Sequence, residues 1–172
     1  QLVGMRCAIC GIKGSLQQYQ RVLDWLSAGG GGSYGQRPRI LLTGVPTAFG
    51  AERVIEIIEN SGGLVVCMEN CTGIKPVLDD VDERAADPIA ALAEKYFHLP
   101  CSVMTRNDRR LTSLRQLVQD YRPDCVIELI WQACLTYDVE SHRVRRFVED
   151  ELGLPYLRIE TDYSPGDSAR IA

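Results

Sequence analysis

Four short runs of apolar residues, each bounded by turn-forming residues, constrain the fold of this chain more than any other feature. They read RILLT (39–43), LVVCM (64–68), CVIELI (125–130) and PYLRIE (155–160). A strand that is apolar at nearly every position, rather than at alternate ones, is buried on both faces, which is typical of parallel sheets covered by helices. The four runs therefore predict an α/β domain with an open, four-stranded parallel sheet.

Segments with helical periodicity lie between and after these runs. Asp87 followed by Pro88 predicts the amino-terminal cap and the first residue of one helix. The residues predicted to face the sheet from this helix are Ile89, Leu92, Ala93 and Tyr96. Further helices are predicted over residues 50–60, 109–121 and 139–152. This alternation predicts a flavodoxin-like three-layer sandwich, with the strands in the order 2-1-3-4.

The first part of the chain differs from the rest. Residues 1–28 have helical spacing of apolar residues, and residues 29–36, GGGGSYGQ, have the composition of a flexible linker. GGGGS is also a common engineered linker, so this stretch could be artificial. We therefore divide the chain into a helical lead-in with its linker, residues 1–36, and an α/β domain, residues 37–172.

Charge and cysteine content exclude several classes of function. The net charge is −4, which gives no positive surface for nucleic acid or anionic membranes. No apolar stretch approaches the ~20 residues that span a membrane, and the first residues do not resemble a signal peptide. The seven cysteines are an odd number scattered through an α/β pattern, unlike a secreted disulfide framework. We expect a cytoplasmic protein whose cysteines fill the core, bind metal or act as nucleophiles.

The segments that follow the strands are expected to form the ligand site, because ligands bind such sheets at the carboxyl ends of the strands. Two of these segments, ENCTGIK and WQACLTYDVE, contain Cys71 and Cys134. A third candidate, Cys101, lies in the loop-like, proline-led stretch HLPCSVMTRND. Thiolates that converge from separate loops suit an iron–sulfur cluster or another soft metal.

Other chemistry at this edge remains open from the residues alone. His142 could activate Cys134 as a nucleophile. Glu69, Glu140 and Glu160 could contact a ligand, although we expect such residues to bond backbone amides of neighbouring turns. The glycines lack the GxGxxG pattern and a P-loop lysine, so nucleotide binding is not indicated.

The remaining cysteines are interpreted as structural. Cys67 and Cys125 lie inside predicted strands, where free cysteine packs as a small apolar residue. Cys7 and Cys10 have CxxC spacing, but no second pair follows at the distance of a zinc ribbon. Packing is the favoured role for this pair, with metal or redox chemistry as the alternative.

Six motifs in this order carry a family resemblance. They are RILLTGVP, ENCTGIK, DPIAALAEKY, PCSVMTRND, WQACLTYDVES and LPYLRIETDYSPGD. Over residues 37–168 they resemble the carboxy-terminal half of the 2-hydroxyacyl-CoA dehydratase and benzoyl-CoA reductase family, D-component type. The resemblance implies a subunit of two similar α/β domains with a cluster between them, of which this chain supplies one domain and the amino-terminal domain is missing.

The combination of ENCTG, PCSVM and WQAC looks most like the double-cubane cluster proteins of that family. The resemblance implies that Cys71, Cys101 and Cys134 ligate a [4Fe–4S] or double-cubane cluster. It further implies an ATP-dependent iron–sulfur activator, a homo- or heterodimer, and electron-dependent dehydration or reduction of an acyl-CoA or small unsaturated substrate. The competing hypotheses are a cofactor-free, flavodoxin-like binding or regulatory module and a hydrolase or transferase that depends on Cys134.

Overall fold

The predicted strands form one parallel sheet. The computed structural model describes residues 11–32, 34–47, 52–104 and 106–172. Its strands are β1 (Arg39–Gly44), β2 (Leu64–Glu69), β3 (Cys125–Trp131) and β4 (Tyr156–Thr161). Their order is β2-β1-β3-β4, and each neighbouring pair is parallel. The predicted order, direction and bounds of the strands are confirmed, the bounds to within one residue.

Helices precede, connect and follow the strands. They are α1 (Gly11–Ser27), α2 (Glu52–Asn60), α3 (Pro88–Phe97), α4 (Asp108–Tyr121), α5 (Leu135–Arg146) and the short α6 (Ser168–Ile171). A π-helical turn, Phe147–Glu151, continues α5 without a break. Among the described residues, the structure contains no helix with the length and apolar character needed to cross a membrane.

The sheet is the middle of three layers. On one face, Val54 and Ile58 of α2 pack in a buried cluster with residues of the central strands such as Leu42. On the other face, Leu114 of α4 and Val144 of α5 pack against neighbours that include Leu41 and Val126. Successive strand residues point to opposite faces, so both central strands are buried along nearly their whole length. The flavodoxin-like sandwich predicted from the apolar runs is confirmed.

The end of β1 is shaped by a glycine. Gly44 has a φ of 107°, a conformation that favours glycine, and a Cβ there would lie 2.1 Å from the carbonyl oxygen of Leu129. The next residue, Val45, donates its N–H to the same oxygen at 2.9 Å. The chain after β1 therefore leaves the sheet in close contact with β3.

Two sequence-based expectations for the helices were wrong. The helix after Cys134 was predicted over residues 139–152 but begins at Leu135. The prediction missed its first turns because they are polar and carry no apolar stripe. In α3, the Asp87 cap is confirmed by hydrogen bonds from two backbone N–H groups. Its predicted inner face is instead exposed, with Ile89 at 72% and Tyr96 at 58%. The sheet is already covered by α2 on one face and by α4 and α5 on the other, and α3 has no buried residue.

The helical lead-in is confirmed where it is described, over Gly11–Ser27. Residues 1–10, including Cys7 and Cys10, lie outside the described residues. The apolar side chains of α1 are not buried in the domain, and Leu16 and Leu23 are 62% and 56% exposed.

Candidate functional site

The carboxyl ends of all four strands meet at one edge of the sheet, because the strands are parallel. The segment after β2 carries Cys71, which is exposed. It is tied to the segment after β1 through Thr47, whose backbone N–H donates to the Thr72 hydroxyl at 3.0 Å. The Thr72 hydroxyl donates in turn to Asn70 Oδ1 at 3.0 Å. Cys71 thus projects from a turn whose flanking residues are fixed.

Asn70, immediately before Cys71, is fully buried. Its Oδ1 accepts the Thr72 bond, but its Nδ2 has no hydrogen-bond partner among the described residues. A buried donor without a hydrogen bond destabilises the folded state. Such a group in a native structure therefore calls for an explanation. Asn70 Nδ2 is one of four buried side-chain nitrogen or oxygen atoms in the described residues that have no hydrogen-bond partner.

Cys101 lies half-buried in the loop between α3 and α4. Its carbonyl accepts a hydrogen bond from Asn107 Nδ2 at 2.9 Å, so the residue before α4 holds the loop. The neighbouring Ser102 hydroxyl donates to the Thr136 hydroxyl at 3.3 Å. Since Thr136 is in the first turn of α5, the Cys101 loop reaches the helix that follows Cys134.

Cys134 is the residue immediately before α5, and it is half-buried. A turn places it there: Ala133 has a φ of 65°, and the Cys134 N–H donates to the Trp131 carbonyl at 2.9 Å. Its sulfur lies 3.7 Å from Thr136 Oγ1. The thiol therefore sits at the amino-terminal end of α5, beside the hydroxyl that contacts Ser102.

The first turn of α5 is the place where the three thiol-bearing segments meet. Thr136 contacts the Cys101 segment through Ser102. Tyr137 contacts the Cys71 segment, because Lys75 Nζ donates to its hydroxyl at 3.3 Å. The sulfurs themselves are not gathered into a ready-made metal site: among the described residues no three His, Cys, Asp or Glu side chains converge that closely.

The chemistry of the donor set fits an iron–sulfur cluster. Thiolate is the ligand such clusters prefer, and the three cysteines are exposed or half-buried on segments at one edge of the domain. The strand cysteines differ. Cys67 is buried, and burial raises its pKa to about 12, so its thiolate is scarce at neutral pH. Cys125 begins β3, is half-buried and packs against the core.

Histidine does not complete a nucleophilic pair with Cys134. His142 is exposed and lies eight residues further along α5, which corresponds to ~12 Å along a helix axis. His98 caps the end of α3 and pairs with Glu94 at 2.9 Å. The cysteine–histidine interpretation therefore has no geometric support among the described residues.

A buried ionic network lies directly beneath this edge, and we call it the Arg110 cluster. Its members are Thr43, Glu69, Lys75, Arg110, Glu128, Tyr137, Glu140 and Tyr156. Strand register creates it, because Thr43 of β1 pairs with both Glu69 of β2 and Glu128 of β3. These three side chains point to the face covered by α4 and α5, and all three are fully buried.

The fully buried guanidinium of Arg110 is the centre of the cluster. It contacts Glu140 at 2.6 Å, Glu128 at 2.8 Å and Glu69 at 3.5 Å. It also donates to the Thr43 hydroxyl at 2.9 Å. Three further groups complete the network: Lys75 pairs with Glu69 at 2.9 Å, the Tyr156 hydroxyl donates to Glu128, and the Tyr137 ring lies 5.0 Å from the guanidinium.

The charges in this cluster are mutually dependent. Burial lowers the pKa of Arg110, but the attraction of its carboxylate neighbours outweighs burial and raises it, so the guanidinium stays charged. Burial lowers the pKa of Lys75 as well, and the attraction of Glu69 again produces a net rise. Burial raises the pKa of Glu128, against the opposing effect of Arg110. Two cations thus hold three carboxylates, and burial favours the protonated form of Glu128.

Sequence reasoning missed most of this cluster. Glu69 and Glu140 were noted at the edge but expected to bond backbone amides, and they instead pair with Lys75 and Arg110. Glu160 is exposed and pairs with Arg158 at 2.8 Å. The available signal was the acidic residue inside CVIELI, because a carboxylate in a fully buried strand requires a cationic partner.

The segment after β4 is held separately. Arg53 of α2 pairs with Asp167 at 2.9 Å and donates to the Thr161 hydroxyl. The Tyr163 ring stacks on Trp131, with centroids 4.4 Å apart. A cleft of about 860 Å³ runs along the open edge of β4, and none of the three cysteines lines it.

Comparison with known proteins supports the motif-based resemblance. The family model for 2-hydroxyglutaryl-CoA dehydratase, D-component, matches residues 2–172. A relative from Escherichia coli (strain K12), provisionally named dehydratase subunit YjiM, is 46% identical over 136 residues. That alignment covers 79% of this chain and 35% of the relative, so the chain spans about a third of the relative's length.

Proposed function

Because the chain belongs to the 2-hydroxyglutaryl-CoA dehydratase D-component family, we propose that it supplies Cys71, Cys101 and Cys134 as ligands of an iron–sulfur cluster in a dehydratase-type enzyme. The resemblance predicted from the motifs is confirmed by the family match. The family match does not show which residues are ligands, which cluster is bound or which substrate is used, and we propose these three points.

One observation carries the proposal: the segments bearing Cys71 and Cys101 both touch the first turn of the helix that follows Cys134. Lys75 reaches Tyr137, and Ser102 reaches Thr136. Side chains of three segments, widely separated in sequence, are thereby brought to one end of one helix. Such convergence is what a shared multi-thiolate ligand set requires.

A bound [4Fe–4S] or double-cubane cluster would supply low-potential electrons for dehydrating or reducing an acyl-CoA or a small unsaturated substrate. The chain's own residues would hold the thiols at the sheet edge and keep the charges beneath them paired. We propose that a second, similar domain of the same subunit faces this edge. An ATP-dependent iron–sulfur activator and a dimeric, cytoplasmic enzyme complete the proposal.

Anaerobic reconstitution with iron and sulfide tests the ligand assignment. Wild-type protein should gain bound iron and a charge-transfer absorption in the visible range. Cys134→Ser should lose most of that iron while its far-ultraviolet circular dichroism stays unchanged, because replacing a half-buried thiol by a hydroxyl costs only about 1 kcal/mol. Cys125→Ser is the matched control: it should lose a similar ~1 kcal/mol, because both residues pack against the same core cluster, but retain iron, because Cys125 lies at the opposite end of β3 from the site.

Two results would contradict the assignment. If wild-type protein binds no more iron than a variant lacking Cys71, Cys101 and Cys134, the chain is a cofactor-free module. If Cys125→Ser loses as much iron as Cys134→Ser, the ligand set is wrong.

A further inference from the structure

We propose that the Arg110 cluster is a clamp that fixes the three thiol-bearing segments relative to one another before any metal is bound. Arg110 is then a positioning residue rather than a ligand or a catalytic group. The inference rests on the proposed function only for the role it gives to the three cysteines. The connections themselves are contacts of described side chains.

The Cys71 segment is held on both sides. Glu69 lies two residues before Cys71 and contacts Arg110 at 3.5 Å. Lys75 lies four residues after Cys71 and contacts the same carboxylate at 2.9 Å. Because Glu69 and Lys75 are 0% and 2% exposed, the turn between them is anchored in the protein interior.

The Cys101 segment is held through the start of α4. Arg110 is in the first turn of that helix, and its backbone N–H donates to the Asn107 carbonyl at 3.2 Å. The Asn107 side chain then donates to the Cys101 carbonyl at 2.9 Å. The backbone of Arg110 is thus hydrogen-bonded to the residue that fixes the Cys101 loop.

The Cys134 segment is held through α5. Glu140 contacts the guanidinium at 2.6 Å, and the Tyr137 ring lies 5.0 Å from it. Both residues lie within the first two turns after Cys134. One planar, multidentate cation thus reaches elements next to all three cysteines, a geometry that lysine cannot reproduce.

A structural role alone accounts poorly for this arrangement. Buried ion pairs add little stability compared with well-packed apolar residues, whereas they can specify one geometry. The apolar cluster formed by α4, α5 and the sheet already joins these helices to the strands. Arg110 and its carboxylates lie further along the strands, at the edge where the thiols are.

Hydrogen exchange of the metal-free full chain tests the clamp, with Arg110→Lys as the variant. Three backbone hydrogen bonds report on the three segments: Ile74 N–H to Met68, Met104 N–H to Cys101, and Asp138 N–H to Cys134. In Arg110→Lys, exchange at all three amides should accelerate at least about tenfold, because lysine lacks the guanidinium group that joins the three segments. Amides of β1 and β3 should accelerate clearly less than these three.

Arg109→Lys is the matched control, since it makes the same change at the neighbouring residue, whose ion pair with Asp79 is exposed. It should leave the three reporter amides unchanged. The clamp is refuted if Arg110→Lys exchanges like this control, or if its reporter amides accelerate only in step with β1 and β3. If Arg110→Lys does not fold, the charge-balanced double variant Arg110→Gln, Glu128→Gln is measured against the same two criteria.

The exchange result is independent of the proposed function. A wild-type chain that fails to take up iron would overturn the ligand assignment without altering these rates. Conversely, normal iron uptake with unchanged exchange in Arg110→Lys would overturn the clamp and leave the ligand assignment standing.

Discussion

Replacing Arg110 by methionine should be one of the most damaging single substitutions in this chain. The change keeps an unbranched apolar stem like that of arginine but removes the guanidinium that contacts Glu69, Glu128 and Glu140. Breaking a buried ion pair by removing one partner costs roughly 3–5 kcal/mol, because the other charge stays buried and unpaired. For a domain of this size such a loss lowers Tm by roughly 6–20 °C.

Urea unfolding followed by circular dichroism measures the loss, and Arg109→Met is its control. Arg109 is in the same turn of α4, but its partner Asp79 is 45% exposed, so the control should cost no more than about 1 kcal/mol. A double variant, Arg110→Met with Glu128→Leu, should regain more than half of the loss. It removes one of the two fully buried carboxylates that Arg110 contacts, while Lys75 still pairs with the other, Glu69.

Two results would refute this reasoning. If Arg110→Met costs as little as Arg109→Met, the ion pairs are screened by water and the cluster is not an interior network. If the double variant is less stable than Arg110→Met alone, the loss does not come from unpaired carboxylates.

Two further predictions concern single positions. At neutral pH, iodoacetamide should label exposed Cys71 and leave Cys67 unmodified, since burial raises the Cys67 pKa to about 12; peptide mass spectrometry that finds equal labelling would contradict this. In the same urea assay, Gly44→Ala should cost at least about 3 kcal/mol, because backbone strain at a positive φ adds to a clash of the new Cβ with the Leu129 carbonyl. Gly62→Ala should cost about 1–2 kcal/mol, because Gly62 also has a positive φ but no atom lies near the new Cβ.

The sheet could be predicted from the sequence because each of its determinants is local. An apolar run such as RILLT specifies a strand buried on both faces, and such strands are parallel in α/β proteins. The Asp87–Pro88 cap specified the start of α3 for the same reason. What α3 packs against is not a local property, so its apolar positions were predicted to face inward, whereas the structure leaves them exposed.

The site was predictable in part. Parallel strands place Cys71 and Cys134 at one edge, and the sequence alone indicates this. The contacts that join their segments depend on side chains 62 residues apart, as in the bond between Lys75 and Tyr137, and no spacing rule specifies them. Arg110 was hidden because it looks like one of several surface arginines in the first turns of a polar helix.

The strand order has a consequence for how the chain folds. The two central strands are neighbours in space but distant in sequence: the N–H of Arg39, at the start of β1, donates to Asp124, 85 residues later. Contacts of such long sequence separation slow folding, because a large loop must close before they form. During synthesis, β1 and β2 can pair as soon as both exist, yet the other edge of β1 stays open until β3 has emerged. While the residues between 69 and 125 are being synthesised, the nascent chain therefore presents an apolar strand with one unpaired edge to its surroundings.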